Sequence, residues 1–139
     1  MPINDRFSKT LLQKSGLALW ILSVGLVCYY SLQPGVELPA SFWNADKAFH
    51  LAGYLWLAFL PGLIFSGRKT ALSASLSMLL LGLLLEACQA FIPGRHFSVG
   101  DVAANSGGVL LGAWLAFRIR PLARLALLPS SQSGPGTQF

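Results

Sequence analysis

The sequence predicts an all-α integral membrane protein, a bundle of four transmembrane helices with both termini in the cytoplasm, and three observations predict it. Hydrophobic residues make up 54% of the 139 positions and charged residues only 11%, with a mean hydropathy of +0.60, well outside the composition of ordinary soluble domains. A membrane span takes roughly 20 mostly apolar residues, and four such runs are present, at residues 15–32, 48–65, 71–91 and 102–119. The basic residues fall at alternate ends of those runs, as the positive-inside rule requires.

Each element follows in order. Arg6, Lys9 and Lys14 lie in a cytoplasmic segment, residues 1–14, ahead of the first run. Such a start also suits a secretory signal, but no small-residue cleavage site follows it, and Leu26-Val27-Cys28 lacks the small residue that lipoprotein processing needs before its Cys. The run therefore reads as a retained span. Residues 33–45 hold Pro34, Gly35 and Pro39 and form a loop; Ser66-Gly67-Arg68-Lys69 is a tight polar turn; Pro93 and Gly94 break the chain between the third and fourth runs. Residues 121–139 are predicted to be a cytoplasmic tail, disordered from Pro129 on, where Ser, Gly, Gln and Pro dominate. One membrane domain, residues 15–120, takes up the rest, with no repeat and no second domain.

Arg6, Lys9, Lys14, Arg68, Lys69, Arg118, Arg120 and Arg124 thus mark the cytoplasmic side, and these eight of the ten basic residues explain the net charge of +5 without nucleic acid. The opposite side carries Glu37, Asp46, Lys47, Arg95 and His96. Ionisable groups near hydrocarbon are costly, so a one-sided cluster reads as a site, here facing the periplasm or the extracellular space. Cys28 and Cys88 sit inside apolar runs as small hydrophobes; a disulfide between them would need neighbouring helices in a specific geometry.

Helical spacing aligns the polar residues. Asp46, His50 and Tyr54 recur at i, i+4 and i+8; Ser75, Gly82, Glu86 and Gln89 form a stripe on the third helix; Asp101, Asn105, Gly108 and Gly112 form one on the fourth. Packing would turn all three stripes inward. Gly108 to Gly112 is a GxxxG run, whose plain meaning is close helix contact, within the chain or as one seam of a homodimer.

Glu86 lies roughly 8 Å below the outer end of its helix, at 1.5 Å per residue. There it must be paired, protonated or in a wet cavity. It is either half of a buried ion pair that fixes helix register or a functional carboxylate, and the convergence of so many polar groups favours the second. His50 alone would be a core histidine; beside Glu86 and Asp46 it fits a general base or a metal ligand. Asp46 and Asp101 start helices, where the dipole alone favours carboxylates, and Ser98-Val99-Gly100-Asp101 resembles a capping box. Arg95 can bind a carboxylate or phosphate in bidentate fashion, or pair with Glu86 or Asp101. Asn105 suits an interhelical hydrogen bond. No His-x-x-x-His or Cys/His spacing is present, so no metal or other cofactor is predicted; a divalent ion would have to use His50, Glu86 and Asp101.

These residues, read together, closely resemble the VanZ-like family: Asp46-Lys47-Ala48-Phe49-His50 with Tyr54, then Glu86-Ala87-Cys88-Gln89, then Pro93-Gly94-Arg95-His96-Phe97-Ser98, with Asp101, Asn105 and Gly108 after them. The pattern covers residues 46–112. VanZ-like proteins are small bacterial membrane proteins, and the founding member is linked to low-level teicoplanin resistance. The resemblance implies a multi-pass protein of the bacterial cytoplasmic membrane.

Two classes of function follow. In the one placed slightly ahead, the outward pocket is a hydrolase or transferase site for a lipid-linked or phosphate-bearing envelope component. Glu86 or His50 would be its acid/base, Asp46 or Asp101 the orienting carboxylate and Arg95 with Lys47 the anion clamp. Tyr54, Gln89, Ser98 and Asn105 complete the candidate substrate-binding set. The chain lacks the PSGH-type His signature of membrane lipid phosphatases, and no nucleophile stands out beyond Tyr54 and Ser98. In the other class, the same residues bind or transport an amphiphile or lipid head group without chemistry, which would include lipoglycopeptide tolerance.

Overall fold

A computed structural model of the chain describes residues 3–34 and 45–126, and these form four helices with no strand among them. They are α1 (Ile3–Ser31), α2 (Ala45–Ile64), α3 (Arg68–Gln89) and α4 (Val99–Ala126). Within them Lys9–Ser31, Ala45–Ile64, Arg68–Gln89 and Val99–Pro121 are long and apolar enough to cross a membrane. The helices outrun the hydropathy-based boundaries. α1 begins at Ile3 rather than residue 15, and α4 runs on through Pro121 to Ala126, so the first residues assigned to the tail are helical. Hydropathy marks only the apolar part of a helix, and its hydrogen-bond ladder continues into polar sequence. Glu37, most of the first loop and the Pro-rich tail lie outside the described residues.

The densest packing joins α2 to α4, which run parallel. A Cβ built on Gly108 would meet the Leu51 carbonyl oxygen and one on Gly112 the Leu55 carbonyl oxygen, so the GxxxG run lies backbone to backbone against α2 of its own chain. At the far end of the same seam Gly62 meets the Ala116 methyl. α3 packs antiparallel across both, and Tyr54, Leu57, Ala58, Met78 and Val109 form the shared core.

α1 is a looser outer wall, with no buried residue in its apolar stretch. One of the hydrogen bonds that fix it also repairs a break in α2. Pro61 lies inside α2 and has no N–H, so the Leu57 carbonyl one turn earlier loses its helical donor. Trp20 of α1 donates its indole N–H to that carbonyl at 2.9 Å, meeting the demand of a bilayer-embedded backbone group for a partner. Trp20 also sets its ring edge-on to Phe65, 6.0 Å between centroids. At the same end Arg120 of α4 donates to the carbonyls of Phe65 and Ser66, capping the C-terminus of α2. Polar contacts gather at the opposite end, where α1 and α3 finish and α2 and α4 begin.

Candidate functional site

The α2 stripe descends from surface to core as its spacing predicts. Asp46 is exposed, His50 half-buried and Tyr54 2% exposed. On α3, Ser75, Gly82, Glu86 and Gln89 are all buried, and on α4 so are Asn105, Gly108 and Gly112, with Asp101 half-buried. All three stripes turn inward. Gly82 makes room for this: a Cβ there would come within 3.1 Å of the Tyr54 ring and 3.3 Å of the Asn105 Cβ.

The polar residues then divide into two groups. The first opens into a groove of about 660 Å³ that includes Asp46, His50, Tyr54, Gln89 and Arg95 in its lining. Its other wall is apolar, from Leu26, Val27 and Tyr30 of α1 and Phe49 of α2. The second group holds the helix ends together behind it. Lys47 Nζ lies 3.2 Å from Asp46 Oδ2 and 3.2 Å from Asp101 Oδ1, tying the start of α2 to the start of α4. These are the ion pairs found among the described residues at this end, and Lys47 does not line the groove.

Glu86 belongs to the second group. Its Oε1 accepts the Ser98 backbone N–H at 2.7 Å, while the Ser98 hydroxyl accepts the Asp101 N–H at 3.2 Å. Ser98 is therefore the N-cap of α4, as its spacing suggested. The acid that reaches back to the cap N–H in a capping box comes from α3 instead of from Asp101. Asp101 is thereby released to pair with Lys47. The carboxylate of Glu86 also faces the positive end of the α4 dipole. Neither Lys47 nor Arg95 pairs with Glu86.

Arg95 is aimed by its turn. The Arg95 N–H donates to the Ile92 carbonyl at 3.1 Å, and Gly94 has φ 78°, so Ile92-Pro93-Gly94-Arg95 is a β-turn with Pro and Gly where a type II turn wants them. The guanidinium Nε donates to the Gln33 carbonyl at 3.3 Å. Arg95 also lines the groove, and no hydrogen bond or ion pair to the described residues engages its Nη groups. Nearby, Gln89 Nε2 donates to the Ser31 carbonyl at 2.8 Å, so α3 and its following turn hold the C-terminus of α1.

His50 Nδ1 lies 3.0 Å from Asn105 Oδ1. An amide oxygen only accepts, so in this contact Nδ1 is the donor, and in the neutral ring Nε2 then presents a lone pair. Tyr54 Oη and Glu86 Oε2 are buried without a hydrogen-bond partner among the described residues. Among the described residues no three His, Cys, Asp or Glu side chains gather as ligands for a metal ion. Cys28 and Cys88 are both free thiols, and His96 is exposed.

Sequence reasoning missed the contribution of α1. Leu26, Val27, Tyr30 and Ser31 line the groove, yet as an apolar helix α1 offers no polar stripe that would single them out. The model of the VanZ/LLP1 family matches residues 6–120, which takes in α1 and extends well beyond the motif-bearing residues. No curated protein and no solved structure matches the chain.

Proposed function

The chain belongs to the VanZ-like family of membrane proteins, and from that premise we propose that it binds an amphiphile with an acidic head group, a lipid or lipid-linked envelope component. Its tail would lie along Leu26, Val27, Tyr30 and Phe49 and its acid on Arg95. The observation that carries this is the composition of the groove, apolar along α1 and polar at Arg95, with a guanidinium whose Nη groups have no partner among the described residues. Pockets for amphiphiles combine such a wall with a few placed polar groups, and a guanidinium matches a phosphate or carboxylate fork to fork. Binding moves ahead of catalysis because Glu86 is engaged by the α4 backbone and Lys47 by two carboxylates.

The polar end faces away from the cytosol in this account, since Lys9, Lys14, Arg68, Lys69, Arg118 and Arg120 crowd the other end. The membrane is then the bacterial cytoplasmic membrane. One observation favours catalysis as a second interpretation: His50 Nε2 carries a lone pair in the groove, as a general base for water attacking a phosphate ester would.

Dodecyl phosphate tests both. Arg95→Gln should weaken its binding roughly 10- to 100-fold, the range of a lost charged hydrogen bond, and Lys47→Gln less than about threefold because that ammonium is already paired. Unchanged binding by Arg95→Gln would remove Arg95 as the acid's seat. If chemistry occurs, wild-type protein releases inorganic phosphate from the probe, and His50→Gln binds it without releasing phosphate.

A further inference from the structure

The groove is lined by side chains of opposite charge. Asp46 and His50 stand one turn apart on α2 and both line it. With Nδ1 facing Asn105, the neutral ring of His50 offers an acceptor at Nε2, and the Asp46 carboxylate, paired through Oδ2 with Lys47, is exposed and lines the same groove. The α2 side is thus a pair of hydrogen-bond acceptors, one of them charged. The turn after α3 contributes Arg95, a donor and a cation, to the same lining.

Arg95 and Asp46 both line this groove, and among the described residues the ion pair of Asp46 is with Lys47 and not with Arg95. Lys47 is shared between Asp46 and Asp101, so these three side chains together carry one net negative charge. A purely anionic head group would satisfy Arg95 and meet that excess negative charge at the α2 end. A zwitterionic one would satisfy both.

We infer that the groove selects a lipid whose head group carries a primary amine beyond its phosphate, with the phosphate on Arg95 and the ammonium on Asp46 and His50. The inference rests on the amphiphile-binding function proposed above and specifies its ligand. An ammonium has N–H donors for both acceptors. A trimethylammonium has the charge and no donor, and a glycerol head group has hydroxyls and no positive charge.

The experiment offers purified full-length protein to vesicles containing equal amounts of phosphatidylethanolamine, phosphatidylcholine and phosphatidylglycerol with identical acyl chains, and identifies the bound lipid by mass spectrometry. The amine lipid should be enriched about fivefold over each of the others, the upper end of what one exposed charged contact supplies. Asp46→Asn should bring amine and glycerol lipids within about twofold of each other. Lipid bound by wild type without enrichment of the amine form, or with the glycerol form ahead, overturns this inference and leaves amphiphile binding standing. No lipid bound at all overturns amphiphile binding itself. Wild type alone decides between these outcomes, so the inference remains testable even if Asp46→Asn fails to assemble.

Discussion

Glu86 is buried in α3 with the Ser98 backbone N–H as its partner. A carboxylate on α3 that accepts the N-cap N–H of α4 fixes the position of one helix against the other. Glu86→Gln retains an acceptor oxygen and should cost less than about 1 kcal/mol of stability, whereas Glu86→Ala strands a buried N–H and should cost about 1–3 kcal/mol. Thermal unfolding in detergent measures both. Equal losses would mean that the charge and not the hydrogen bond matters. The inward faces of Asp46, His50, Tyr54, Glu86, Gln89 and Asn105 were legible from spacing alone, because the helical repeat sets which residues share a side. Their partners were not. Whether Lys47 meets Asp101, or Glu86 meets Ser98, depends on how far each helix is rotated and shifted along its neighbour, which no single helix's periodicity encodes.

At the scale of the elements, the seam between α2 and α4 carries the bundle. Gly108 and Gly112 lie where any side chain meets backbone carbonyls, which cannot rotate away as a side chain would. Gly108→Val should therefore cost about 1–3 kcal/mol or more from overpacking. Gly25, around which a Cβ meets nothing within 4 Å, serves as the control: Gly25→Ala should be neutral or gain up to about 1 kcal/mol from reduced backbone freedom. Melting temperatures of the two variants in the same detergent check this, and a Gly108→Val protein as stable as wild type would contradict the seam. Four spans could be counted in the sequence because each has about 20 apolar residues. The true ends of α1 and α4 could not, since the helix outlasts the apolar pattern, and the pairing of Pro61 with Trp20 joins residues from separate helices.

For the molecule as a whole, the account orders the helices by tightness: α2, α3 and α4 form the packed core and α1 closes a groove from outside. Orientation is tested by single cysteines in a background with Cys28 and Cys88 replaced by Ser. His96→Cys should react in intact cells with a membrane-impermeant thiol reagent and Lys69→Cys should not; the reverse pattern would invert the protein. The central claim is that the groove between α1, α2 and the turn after α3 holds an acid-bearing amphiphile through Arg95. Native mass spectrometry of protein extracted from its own membrane addresses it most directly. The account predicts one retained adduct per chain, with an acyl tail and a phosphate or carboxylate head, that is lost in Arg95→Gln and kept in Lys47→Gln. A bare wild-type chain, or an adduct that survives Arg95→Gln undiminished, would contradict it.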